Sequence, residues 1–196
     1  MQNFIGTTLL ISILCISPSL AQQKEANREI ANKSKLQPWI GKWSGEATNE
    51  LAGKDSQQFS VQLVVAPGKS PNRWNWQITY TGAAGKSVRD YELVAIDESK
   101  GLYVLDEKNG IKLPATLFED SLHFHFTISG QTLWSRYRLL TKEKAAIEYE
   151  LVTASSQDAK TTGTQELEVI GLQPVTRQFA ILKPMVETKE AARADK

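Results

Sequence analysis

The stretch Trp39-Ile40-Gly41-Lys42-Trp43-Ser44-Gly45 decides how the rest of the chain is read. Before it come an apolar leader and a polar segment. After it the hydrophobic pattern settles to a period of two, which is the spacing of strands and not of helices. Phe59, Val61, Leu63 and Val65 alternate with Ser60, Gln62 and Val64 until Pro67-Gly68 stops the run. Trp74, Trp76, Ile78 and Tyr80 alternate with Asn75, Gln77 and Thr79, the clearest half-buried strand of the chain, and a turn over residues 82–85 follows. Further apolar runs cover residues 88–96, 102–105, 111–118, 122–128, 132–140, 146–152, 164–170 and 176–182, separated by turn-forming pairs such as Asn109-Gly110 and Glu119-Asp120. Short strands at this spacing, with no helical pattern between them, predict an all-β fold. The expected architecture is an antiparallel up-and-down barrel of about eight to ten strands over residues 38–183.

The chain has 196 residues, 41% hydrophobic and 23% charged, which suits one globular domain with a full core. Lysines and arginines number 23 against 22 acidic residues, so the net charge is only +1. That provides no field for gathering nucleic acid or an anionic membrane surface, and neither partner is expected.

Residues 1–21 carry no charged side chain. They hold the apolar run from Phe4 to Ile16, the helix breaker Pro18, and Ser19-Leu20-Ala21, whose small residues suit a cleavage site. This predicts a signal peptide and export to a periplasmic or extracellular compartment. The run is shorter than the roughly 20 residues a bilayer core needs, so stable membrane insertion is not expected. The only cysteine, Cys15, lies inside the leader. A chain cleaved after Ala21 therefore relies on packing alone in an oxidising compartment. Residues 22–37 read as a polar lead-in that Pro38 ends, and residues 184–196 as a charged tail.

Turn chemistry sets the register of the later strands. If Ser129-Gly130 is a two-residue turn, His125 pairs with Trp134, His123 with Arg136, Phe126 with Leu133 and Leu122 with Tyr137. An odd-length loop around Lys142-Glu143-Lys144 then sets Leu139 opposite Ile147, Tyr137 opposite Tyr149, Arg138 opposite Glu148 and Arg136 opposite Glu150. One face is apolar and the other is a ladder of opposite charges. His123 and His125 fall on the outer face, and their His-x-His pair lacks a third ligand at recognisable spacing, so no metal site is expected. Neither a Gly-x-Ser-x-Gly elbow nor a phosphate loop occurs in the sequence, and no catalytic residue or cofactor is assigned.

Alternation gives an inward set of Phe59, Val61, Leu63, Trp74, Trp76, Ile78, Tyr80, Tyr91, Leu93, Phe124, Phe126, Tyr137, Ile147, Tyr149, Leu167, Val169, Phe179 and Ile181. A barrel so lined either fills with side chains or leaves room for one small ligand. With Gly41-Lys42-Trp43 at the start of its first strand, a short lead-in before it and a strand meander after it, the chain resembles the calycin group, the lipocalins and fatty-acid-binding-type barrels. The resemblance covers about residues 38–183. It implies structural roles for Gly41 and Trp43, with Arg177 from the last strand packing across Trp43 as a cation-π partner. It also implies carriage of a small apolar or amphipathic molecule.

The chain departs from that group in lacking disulfide cysteines, a late-strand histidine for haem, and an Arg-x-Tyr carboxylate clamp at Arg136-Tyr137-Arg138, where the two residue types face opposite ways. The reading is thus an exported, monomeric or weakly dimeric protein holding a small hydrophobic molecule. Trp74, Trp76, Tyr80, Phe124, Tyr137 and Tyr149 are the expected cavity lining. Two alternatives stand beside it. One is a filled barrel acting as an envelope interaction module through Trp134 and its neighbours. The other is a barrel enzyme on a small apolar substrate, which requires a buried carboxylate of raised pKa.

Overall fold

In the computed structural model, residues 34–141, 145–157, 159–164 and 166–185 are described, with isolated positions 19 and 25. The expected signal peptide, most of the lead-in and the tail beyond Met185 lie outside the described residues. Strands β1 (Gly41–Leu51), β2 (Gln57–Pro67), β3 (Arg73–Gly82), β4 (Gly85–Asp97), β5 (Leu102–Asp106) and β6 (Lys112–Phe118) run as a meander. It continues through β7 (Ser121–Ile128), β8 (Gln131–Leu140) and β9 (Ala146–Ser155). A small ribbon of β10 (Lys160–Gly163) and β11 (Glu168–Gly171) follows, and β12 (Pro174–Pro184) completes the chain of strands. Ten of these strands, all but β10 and β11, close an antiparallel barrel in which β12 returns to pair with β1. Among the described residues no helix is long and apolar enough to cross a membrane.

The turn logic carries through. Ser129 and Gly130 adopt φ of 50° and 74°, the paired positive values of a tight hairpin turn. The pairs His125–Trp134, Arg136–Glu150, Arg138–Glu148 and Tyr137–Tyr149 are all present. His125 lies stacked on Trp134 at 5.0 Å and His123 meets Phe118 edge-on, both on the outer face.

Two late stretches differ from expectation. Leu167 and Val169 were expected inside but are exposed, at 65% and 47%. The physical reason is closure: β9 and β12 already pair, with Ala154 opposite Pro174, so the segment between them is not needed in the wall and loops out as the ribbon. On β12, Ala180 and Leu182 face inward, not Phe179 and Ile181. The β1–β12 seam accepts only small inward side chains there, because Ala180 lies opposite both Ala47 and the bulky Tyr149.

The opening motif also closes one end of the barrel. Pro38 sits in a single 3-10 turn (Gln37–Trp39) that drives Trp39 and Leu36 into the interior, where both are almost wholly buried. The indole N–H of Trp43 donates to the Trp39 carbonyl at 2.9 Å, so the tryptophan of the Gly-x-Trp motif fastens the plug to the first strand. Gly41 makes the corner at φ 156°, a conformation that side chains disfavour. On the far side the carboxylate of Glu98 accepts from the Ser34 hydroxyl, from the Lys35 backbone N–H at 2.9 Å and from the Tyr103 hydroxyl at 3.1 Å.

Three donors on one ionised oxygen give a testable lock. Glu98→Ala is expected to cost about 2 kcal/mol in urea unfolding, the range for hydrogen bonds to a charged group. Faster quenching of tryptophan fluorescence is expected with it, as the Trp39 plug loosens.

Arg177 does not meet Trp43, and the expected cation-π partnership is corrected. Trp43 lies opposite Pro184 whereas Arg177 lies opposite Glu50, near the other end of the β1–β12 ladder. Its guanidinium instead sits 4.8 Å over Phe179 and pairs with Glu150 at 2.7 Å and Glu50 at 3.3 Å. Arg136 joins Glu150 and Glu148 at 3.0 and 2.6 Å, so a chain of alternating charges ties β8, β9, β12 and β1 on the outside. Arg177 is structural through that belt.

Candidate functional site

The interior is divided into two halves. Toward the plugged end, Trp39, Trp76, Leu63, Ile147 and Leu182 pack without exposure. Toward the other end a cavity of about 1050 Å³ opens, at the top of the usual range for small-ligand sites. Tyr80 on β3 reaches across the lumen to interact with Tyr149 on β9 and Tyr137 on β8, so three tyrosines form the cavity floor. The Tyr149 hydroxyl donates to Gln178 Oε1 at 2.9 Å. Trp76 lies under this floor, with its ring edge-on to Tyr137 at 5.2 Å and tilted against Trp39 at 6.1 Å.

The far wall is apolar, built by Leu105, Leu113, Phe124, Phe126, Leu133 and Leu151. The β1–β12 side contributes the amides Asn49 and Gln178, and the Asn49 side-chain oxygen is buried without a hydrogen-bond partner. The mouth is notched on one side, for a reason of strand length. β5 and β6 are short, so the β4–β5 ladder begins only at Glu92 and the β6–β7 ladder ends at Phe124. The first half of β4, residues 85–91, and the end of β7, residues 125–128, stand on either side of a low wall. Arg89 and Tyr91 of β4 and Glu107 beyond β5 line the cavity beside that notch.

Five of the six residues expected to line a cavity do so: Trp76, Tyr80, Phe124, Tyr137 and Tyr149. Trp74 does not. It faces inward but lies in the packed half, one layer beneath Trp76, against Tyr103 at 6.3 Å. Arg89, Asn49 and Gln178 are cavity residues that the sequence reading passed over. Arg89 had a signal, because it lies two residues before the inward Tyr91 and opposite Ile78, hence on the same face. Gln178 had none, since the larger Phe179 and Ile181 dominate the alternation around it.

The electrostatics follow from this enclosure. Burial pushes the hydroxyl pKa of Tyr80, Tyr137 and Tyr149 above the ordinary 10.0, and mutual repulsion among their phenolates raises Tyr137 and Tyr149 further. Tyr91 and Tyr103 are also raised, first by burial and then by Glu107 and Glu98 respectively. These are all five tyrosines of the chain. The native protein is therefore expected to develop less phenolate absorbance at pH 10 than the unfolded chain, in which tyrosine is about half ionised, and to acquire the rest in step with unfolding. The folded pKa lies above the unfolded one, so the unfolded chain releases protons first and stability falls as pH rises beyond about 10. An absorbance titration run beside circular dichroism checks both statements.

The carboxylates with displaced pKa among the described residues, Asp97 and Asp106, are pulled down. Asp97 drops to about 2 through its hydrogen bonds from Ser99 and Lys100, and Asp106 is lowered chiefly by the Lys108 backbone N–H. Neither lines the cavity.

No protein-family model matches the chain, and no curated protein sequence matches it. Solved structures do. The S-type phycobiliprotein lyase from Guillardia theta is similar over 85% of this chain and 98% of its own, with 9% identity and a TM-score of 0.52. Rv2717c from M. tuberculosis is similar over 78% of this chain and 98% of its own, with 15% identity and a TM-score of 0.49. At such identities the likeness is one of architecture, a closed ten-stranded antiparallel meander.

Proposed function

We propose that the chain is an exported carrier that holds one small hydrophobic or amphipathic molecule in the open half of its barrel. The observation that carries this reading is the cavity of about 1050 Å³ above the tyrosine floor. A barrel selected only for stability gains from filling such a space, since burying each further methylene is worth about 0.8 kcal/mol. Export rests on the leader at residues 1–21, and a monomer or weak dimer accords with a ligand held within one barrel.

A second reading, an extracellular interaction module, draws on the β10–β11 ribbon, which carries Leu167, Val169 and Ile170 exposed beside the mouth. Native mass spectrometry of the protein purified from its own source separates the two. The carrier reading expects a retained apolar molecule at one per chain. A clean apo mass, with no thermal shift across a panel of lipids and isoprenoids, overturns it and favours the ribbon as the working surface.

A further inference from the structure

The cavity wall is not uniformly apolar, and its one inward arginine stands at the notch. Arg89 lies opposite Ile78 on the lumen side of β4, and no strand pairs with β4 beyond it on the notch side. Among the described residues it forms no ion pair, although every other arginine of the barrel does: Arg73 with Glu92, Arg136 with Glu148 and Glu150, Arg138 with Asp120, and Arg177 with Glu50 and Glu150. Its neighbouring charges are Asp90, Glu107 and Lys86, and of these Glu107 and Lys86 also line the cavity. Asp90, on the outer face, pairs with Lys108 at 3.0 Å, and Glu107 accepts from the Asn109 amide at 3.2 Å.

We propose that Arg89 receives the anionic head of an amphipathic ligand at the notch, while its apolar body lies along Leu105, Leu113, Phe124, Phe126, Leu133 and Leu151. This deepens the carrier reading and rests on it. Tyr91, two residues along the same inward face of β4, lines the cavity beside Arg89, and Tyr80 lies deeper, at the floor. The positive field of Arg89 reaches both tyrosine hydroxyls, and Glu107, which lines the cavity at the same notch, acts on Tyr91 with the opposite sign. A head placed at Arg89 stays at the solvent boundary, because this residue is exposed. The charge is therefore never fully desolvated, which avoids the main penalty of burying an ion. A planar guanidinium suits a carboxylate and a phosphate alike.

The test measures affinities of four probes that share a ten-carbon chain: decanoate, decyl phosphate, decanol and decyltrimethylammonium. On the wild-type protein the two anions are expected to bind about tenfold or more tighter than decanol, the span of one charge-assisted hydrogen bond. The cation is expected to bind most weakly, and the preference for anions shrinks in high salt. Arg89→Gln brings both anions to the affinity of decanol and leaves decanol unchanged, whereas Arg89→Lys keeps most of the preference. Comparing decanoate with decyl phosphate tells which acid the site suits better. Equal binding of decanol and decanoate to the wild type overturns the proposal while leaving the carrier reading intact. A preference that survives in Arg89→Gln overturns the assignment to Arg89. Failure of all four probes to bind overturns the carrier reading itself.

Discussion

Replacing Trp76 by alanine is expected to lower the free energy of unfolding by about 3–5 kcal/mol, the range for truncating a fully buried aromatic. Trp76 has no exposure and stands between the two halves of the interior, touching the plug through Trp39 and the cavity floor through Tyr137. Alanine there removes the side chain that both halves pack on, so the void left behind joins the existing cavity and cannot collapse easily. In urea, with a slope of about 2 kcal/mol per molar, the midpoint falls by roughly 1.5–2.5 M. Trp76→Phe is expected to recover the larger part of this loss. It keeps an aromatic body beneath Tyr137 and also removes an indole N–H that is buried without an acceptor. A cost below about 1 kcal/mol for the alanine variant contradicts the division of the barrel into a packed and an open half.

Substituting Gly45 by alanine is expected to be nearly as damaging, for the opposite reason. A Cβ at Gly45 lies 2.3 Å from the Ile181 carbonyl oxygen, closer than real atoms approach, and the obstruction is backbone and not a movable side chain. Relief requires β12 to move away from β1, along the seam that closes the barrel. A cost of about 3 kcal/mol is expected, the upper end for overpacking, with a melting temperature lower by roughly 6–12 °C for a chain of this size. Gly171→Ala on the ribbon is the control, since its Cβ meets only the Lys160 carbonyl at an ordinary 3.7 Å. Comparable melting of the two variants contradicts close contact at the seam.

Much of the site was legible one strand at a time. Tyr137 and Tyr149 could be placed opposite one another because the Ser129-Gly130 turn and an odd-length loop leave one register that keeps apolar residues together. Tyr80 followed from its alternation with Trp76 and Ile78. Trp74 shares that alternation and yet lines no cavity. Period two says which face a residue occupies, but not how far along the barrel axis the packing stops. That level is set by the plug at Leu36 and Trp39, which fills only one end.

What the sequence by itself determined is the all-β class, the strand meander, the hairpin registers of β7 to β9 and the outward placement of both histidines. Each depends on local chemistry: alternation, turn residues and the pairing of neighbours in the chain. Tertiary structure decided the rest. Closing the barrel brings β12 against β1 across more than a hundred residues, and no local pattern encodes that contact. Closure left room only for a small side chain between Ala47 and Tyr149, so Ala180 turned in and Phe179 turned out. It carried Arg177 to Glu150 and away from Trp43, and expelled the segment around Leu167 into a ribbon. The unequal lengths of β4 to β7 then cut the notch beside Arg89, because the free edges of a sheet appear only where neighbouring strands end at different heights.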